Sequence, residues 1–109
     1  MITWNDFEKI DMRVGTIIDA APFPKAKKPS YQLTIDFGEL GIKNSSAQIT
    51  ALYQQEELIG KQVIAVVNFP VKQIANFFSE CLVMGVYNEN NDVVLLQPGK
   101  EVKNGCKIG

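Results

Sequence analysis

Four lysines in this 109-residue chain lie beside aromatic rings and away from any acid. Lys25, Lys27 and Lys28 fall in PFPKAKKPS together with Phe23, and Lys72 falls in NFPVKQIANFFSEC together with Ile74, Phe77 and Phe78. Between Asp19 and Asp36 the charged residues are those three lysines. Between Glu39 and Glu56 the single charge is Lys43, and between Glu57 and Glu80 the charges are Lys61 and Lys72. A lysine that neutralises a phosphate releases condensed counterions, a gain that falls steeply with salt. An aromatic ring beside it can stack a base, worth about 1–3 kcal/mol. The stretch IKNSSAQI adds Asn44, Ser45, Ser46 and Gln48, short donors and acceptors suited to phosphates, 2′-hydroxyls or base edges. These residue types predict a binding surface for a polyanion. Phenylalanines at loop ends also commonly plug a core, and the same rings could hold apolar side chains of a polypeptide.

Other chemistries are poorly provided for. With no histidine, the commonest general base is missing and a hydrolytic triad of the usual kind cannot be assembled. Ser79 with Lys72 is a formal nucleophile–base pair without supporting spacing. GKEVKNGCK has glycines and lysines, but not at the intervals of a phosphate loop. Cys81 and Cys106 are 25 residues apart, with neither a CxxC motif nor histidine to complete a metal cage, and are expected to be reduced structural thiols. We expect no metal, no cofactor and no enzymatic activity.

The elements that must carry these residues follow from periodicity. TWNDFEKI predicts a short helix capped by Thr3, with Asp6 three residues on and Phe7 and Ile10 on one face. DMRVGTIIDAA alternates as a half-buried strand with Met12, Val14 and Ile18 inward, and Gly15 within it suggests a bulge or bend. Tyr31 to Phe37 is a second strand with Tyr31, Leu33, Ile35 and Phe37 inward, and Ile42 to Ile49 is a third. Thr50 to Ile59 predicts a helix ended by Gly60. Val63 to Val67, Cys81 to Tyr87 and Val93 to Leu96 complete the strands, and GKEVKNGCKIG is too polar to fold unless it docks.

Strand, strand, strand, helix, strand, strand is the order of an OB-fold. The expected class is all-β with short helices: a five-stranded Greek-key barrel with an N-terminal helix and a C-terminal β extension. One domain over 1–109 is expected, divided into the helix at 1–11, the barrel at 12–87 and the extension at 88–109. In such a barrel a ligand crosses strands 2 and 3 between the loops joining strands 1 to 2 and 4 to 5. Those loops are PFPKAKKPS and PVKQIANFF, so the groove is predicted to be positive although the net charge is −1. No apolar run reaches the length of a membrane span, and MITWNDFEKIDM lacks the apolar core of a signal peptide, which predicts a cytoplasmic protein without membrane insertion. A chain this small gains from a second subunit.

DMRVG at 11–15, KPSYQL at 28–33, IDFG at 35–38, SSAQIT at 45–50, LIGKQVIAVVNFP at 58–70, SE at 79–80 and VVLLQPGKEVKNGCKIG at 93–109 together resemble the stand-alone tRNA-binding domain, specifically its CsaA-type branch. The resemblance spans nearly the whole chain. It implies an OB-fold homodimer whose interface is extended by the N-terminal helix, with Phe7 and Ile10, and by the C-terminal segment. It also implies that tRNA is recognised by shape. The implied RNA contacts fall on Asn68, Lys72 and Ser79, with Gln73 beside them and support from Ser45 and Ser46. The lysines at 25, 27, 28 and 43 surround that set. The branch further implies chaperone activity in protein export, binding unfolded or precursor polypeptides; in the same groove Phe23, Ile74, Phe77 and Phe78 are the residues that could hold their apolar side chains. Asn76 stands where many relatives have glycine, and asparagine tolerates the left-handed backbone a turn there would need. Gln73 replaces a basic residue found in several relatives, and Glu80 places a negative charge beside the groove.

Overall fold

The computed structural model describes residues 1–109. Thr3 starts helix α1 (Trp4–Glu8) through a reciprocal capping box: its hydroxyl accepts from Asp6 N at 3.2 Å, and the Asp6 carboxylate accepts from Thr3 N at 3.0 Å. No residue of α1 is buried. The chain then enters β1 (Met12–Pro22), which pairs antiparallel with β4 (Gln62–Val66) through Met12–Thr16 and with β2 (Tyr31–Asp36) through Thr16–Pro22. A strand that changes partner midway must bend. Gly15 and Ile17 share the core face, which leaves Ile18 exposed, and an irregularity between Ile17 and Asp19 then shifts the phase so that Ala20 is the next buried residue. The expected inward Ile18 is corrected by this, and of the bulge or bend expected at Gly15 the bulge lies further on, between Ile17 and Asp19, while the change of partner falls at the adjacent Thr16. Gly15 serves close approach instead: a Cβ there would lie 2.7 Å from Ile35 and 2.7 Å from the ring of Phe37.

Strand β2 meets expectation, with Leu33, Ile35 and Phe37 fully buried and Tyr31 half-buried. It pairs antiparallel with β3 (Ile42–Ala47). Helix α2 is only Gln55–Leu58, much shorter than the predicted Thr50–Ile59. The segment before it is held open by Tyr53, whose carbonyl accepts from the Tyr31 hydroxyl at 2.8 Å and whose own hydroxyl accepts from Leu95 N at 3.0 Å. Leu58, fully buried, is the plug that α2 contributes. Ile59 turns extended, and Gly60, at φ +93°, sends the chain into β4 as expected.

The segment predicted as one strand over Cys81 to Tyr87 is two. Leu82–Val83 forms β7 on the free edge of β4, giving the sheet order β3-β2-β1-β4-β7, while Gly85–Tyr87 forms β8, paired with β9 (Val93–Leu95) in a separate hairpin. Met84 bridges the two, donating to Ile64 O and accepting from Leu96 N. The five-stranded sheet curls into a nearly closed barrel. Its gap is closed by side chains as well as backbone: Glu80 N donates to Asn44 O at 2.8 Å, Glu80 Oε1 accepts from Asn44 N at 2.9 Å, Ser79 Oγ accepts from Ser46 N at 3.1 Å, and Ser45 Oγ donates to Cys81 O at 2.9 Å. Inside sit Ile17, Leu33, Ile35, Phe37, Leu58, Val63 and their neighbours as a single core. The tail docks as its polarity required, running along β1 with Val14 N to Cys106 O at 2.9 Å, Gly105 N to Val14 O at 2.7 Å and Ile108 N to Met12 O at 2.9 Å. No helix is long and apolar enough to cross a membrane.

Candidate nucleic-acid interface

The stretch from Asn68 to Cys81 is a β-hairpin rather than an open loop. Lys72–Ile74 (β5) pairs with Phe77–Ser79 (β6) in the register Lys72 with Ser79, Gln73 with Phe78 and Ile74 with Phe77. Two residues make the turn. Ala75, at φ +53°, takes the left-handed position expected of Asn76, and the Gln73 amide secures it by donating to Ala75 O at 3.0 Å. Alternation then sorts the side chains: Lys72, Ile74, Phe77 and Ser79 share one face, and Phe78 lies on the other with Gln73.

Two adjoining hollows open on the first face. One holds about 580 Å³ and is lined by Lys25, Lys27, Lys28, Ser30, Ser46, Gln48, Lys72, Gln73 and Ile74. The other holds about 390 Å³ and is lined by Ser46, Gln48, Phe69, Pro70, Lys72, Ile74, Ser79, Cys81 and Leu82. Both volumes fall in the range of about 300–1,000 Å³ typical of ligand sites. They share Ser46, Gln48, Lys72 and Ile74, so they are the two halves of one groove. No acid lines either half. The ion pairs of the chain are Lys9–Asp6 and Arg13–Asp11, which leaves all four groove lysines without an acidic partner. Glu80 faces the wall of the barrel, where its carboxylate accepts from Asn44 N, instead of reaching into the groove.

The expected residues divide into those that face the groove and those that build it. Lys25, Lys27, Lys28, Lys72, Ser46 and Ile74 face it, and Gln73 borders it from the hairpin edge, its side chain on the other face with its amide donating to Ala75 O. Ser79 lines the apolar half, though its hydroxyl already accepts from Ser46 N and so also ties β6 to β3. Ser45 points the other way, is fully buried and is bound to Cys81 O, which removes it as a direct contact. Lys43 has the parity of Ser45 and lines neither half. Asn68 uses both ends of its amide for structure: Oδ1 accepts from Asp11 N at 3.0 Å and Nδ2 donates to Lys9 O at 2.8 Å, clamping the entry to β1 against the exit from β4. Arg13 of DMRVG is likewise occupied, with Asp11 at 2.6 Å and Gly105 O at 3.1 Å.

The aromatic expectations are corrected most. Phe23 is 4% exposed and packs its ring on that of Phe77, centroids 5.3 Å apart at a tilt of 59°. It therefore anchors the lysine loop to the hairpin and offers no surface to a ligand. Phe77, half-buried, is the other half of that anchor, and Phe78, 54% exposed, faces away from both hollows. The ring that does line the groove is Phe69, 55% exposed, with Leu82 as a second apolar wall; neither was among the residues expected there. Phe69 precedes the hairpin and Leu82 follows it in β7, and the folding of the connection back over β3 brings them to one hollow, for which the sequence carries no signal. Cys81, beneath the groove, has its thiol pushed up to about 11 by burial, with the Ser45 hydrogen bond and Lys43 opposing and Glu80 reinforcing the rise. It is a protonated core group at neutral pH.

Residues 12–107 match the family model described as a putative tRNA-binding domain. Among solved structures, the chaperone CsaA of Bacillus anthracis str. Ames is 54% identical with a TM-score of 0.94, covering 100% of this chain and 99% of that one. The CsaA chaperone protein of Picrophilus torridus is 55% identical, again with a TM-score of 0.94 and full coverage of both chains. Among curated proteins, the methionine–tRNA ligase of Bacteroides fragilis is 35% identical over 107 residues, 98% of this chain, which spans only 16% of the ligase. With the barrel, its hairpin-walled groove and these matches taken together, the chain belongs to the tRNA-binding domain family and, within it, to the CsaA-type branch.

Proposed function

We propose that this chain binds tRNA without acting on it chemically, holding the backbone in the groove between PFPKAKKPS and the β5–β6 hairpin by charge and shape. The observation that carries the reading is the set of four lysines without acidic partners around one acid-free groove, on the barrel face formed by β3 and the two connections. In this reading Lys25, Lys27, Lys28 and Lys72 meet phosphates, Ser46 and Gln73 offer polar contacts, and Asn68, Ser45 and Ser79 hold the surfaces in place. Lys43 contributes only to the wider positive field.

Fluorescence anisotropy of labelled total tRNA, titrated at salt concentrations from about 50 to about 200 mM, tests it. Four phosphate contacts give a log–log salt slope of about −3 to −4, and Lys72→Ala lowers the magnitude of that slope by about one while binding to every tRNA weakens alike. An affinity independent of salt, or a Lys72→Ala protein that binds as before, refutes the reading.

A second reading has its own observation, the apolar half of the groove with Phe69, Ile74 and Leu82. There the groove takes unfolded or precursor polypeptides, in line with the chaperone relatives and with a role in protein export. Burial of apolar side chains is little weakened by moderate salt, so the same titration with an unfolded polypeptide separates the two. Homodimerisation in the cytoplasm is part of either reading. It is supported by an apolar hollow of about 380 Å³ between α1 and the C-terminus, lined by Ile2, Trp4, Phe7 and Gly109, with Ile10 exposed beside it. Light scattering at twice 12.1 kDa is the expected result.

A further inference from the structure

The two halves of the groove differ in chemistry yet share a wall, and that juxtaposition specifies the ligand more closely than positive charge does. The larger half carries Lys25, Lys27 and Lys28 and no aromatic ring. The smaller carries Phe69, Pro70 and Leu82 and, besides Lys72, no charge. Lys72 and Gln48 stand on the boundary. A paired helix keeps its base faces stacked inside and presents phosphate, sugar and base edges, which would leave the apolar half empty. An unpaired nucleotide presents an anion and, one sugar away, a flat base with polar edges. Base–aromatic stacking is worth most where a ring is held ready and exposed, and Phe69 is 55% exposed at the groove.

We infer that the groove takes an unpaired nucleotide, its base entering the apolar half against Phe69 and its flanking phosphates lying on Lys72 and the lysine loop, and that Phe69 makes this protein prefer single-stranded over double-stranded RNA. This rests on the RNA-binding reading above. Gln48, placed where the halves meet, is positioned to offer its amide to a base edge. A polypeptide segment with an apolar side chain next to acidic ones is the competing occupant.

The test uses the full chain with three fluorescein-labelled probes: an unstructured RNA 8-mer, a duplex of the same length, and an 8-mer of the same charge with its bases removed. The single strand is expected to bind about 5- to 100-fold more tightly than the abasic probe. Phe69→Ala should remove that difference while leaving abasic and duplex binding as they were, and Phe69→Tyr should restore it. Because Phe69 is on the surface, an unchanged melting temperature excludes a folding defect. Equal affinity for all three probes, or a Phe69→Ala protein that still prefers bases, overturns the inference and leaves the tRNA reading standing. No binding of any 8-mer or of labelled total tRNA, with capture of an unfolded polypeptide at the same groove, overturns both.

Discussion

The contact between Phe23 and Phe77 ties the lysine loop to the hairpin, and its strength can be worked out. Phe23→Leu removes three ring carbons from a side chain that is 4% exposed. At about 0.8 kcal/mol per buried carbon this costs about 2.4 kcal/mol. Phe77 is half-buried, so Phe77→Leu loses about half as much, about 1.2 kcal/mol. If the rings also attract one another at their 5.3 Å separation, that attraction is lost only once in the double variant, whose loss falls short of the sum by about 0.5–1.5 kcal/mol. Urea unfolding followed by far-ultraviolet circular dichroism measures all four proteins, and the total stays within the stability of about 5–15 kcal/mol usual for a domain. Both single variants should also weaken tRNA binding, although neither ring lines the groove, because a two-stranded hairpin is marginal without packing to hold it. Losses that add within about 0.3 kcal/mol would show that the rings are neighbours without coupling. A cost for Phe23→Leu below about 1 kcal/mol, under half of the burial figure, would mean that the loop is not anchored there.

Gly15→Ala drives a methyl group into Ile35 and Phe37, both fully buried, and should cost about 1–3 kcal/mol, a fall of roughly 5–20 °C in melting temperature by calorimetry; an unchanged melting point would show that this corner of the barrel yields. The Cys81 thiol, raised by burial from 9.0 to about 11, is protonated in both states below about pH 9, where its contribution is complete. Between about pH 9 and 11 the unfolded chain loses that proton first, so stability falls with rising pH by up to about 3 kcal/mol, a slope that urea midpoints should show and Cys81→Ala should flatten.

Alternation and capping make much of the barrel legible in the amino-acid order alone. β2 reads inward at every second residue because one face is core and the other is not, and Thr3 with Asp6 writes its own helix start. The lysines that face the groove are legible too, since acid-free windows are a property of composition along the chain. Family likeness is carried by motifs such as DMRVG, although Asp11 and Arg13 are occupied with the chain's own tail and entry. What the sequence could not carry is phase. The core face of β1 runs through Gly15 and Ile17 and, past an irregularity between Ile17 and Asp19, through Ala20, while the register of β5 with β6 puts Phe78 on the face away from the groove and Phe69, which precedes the hairpin, is the ring that lines it. Helix α2 is overextended by periodicity for a related reason, because Tyr53 makes its bonds to Tyr31 and Leu95, which are distant in sequence. Residue types and spacing determined that this protein is a barrel with a positive face. Which side chains line that face was settled only by pairing between segments, because a one-residue shift in a strand turns every side chain to the opposite side at little local cost.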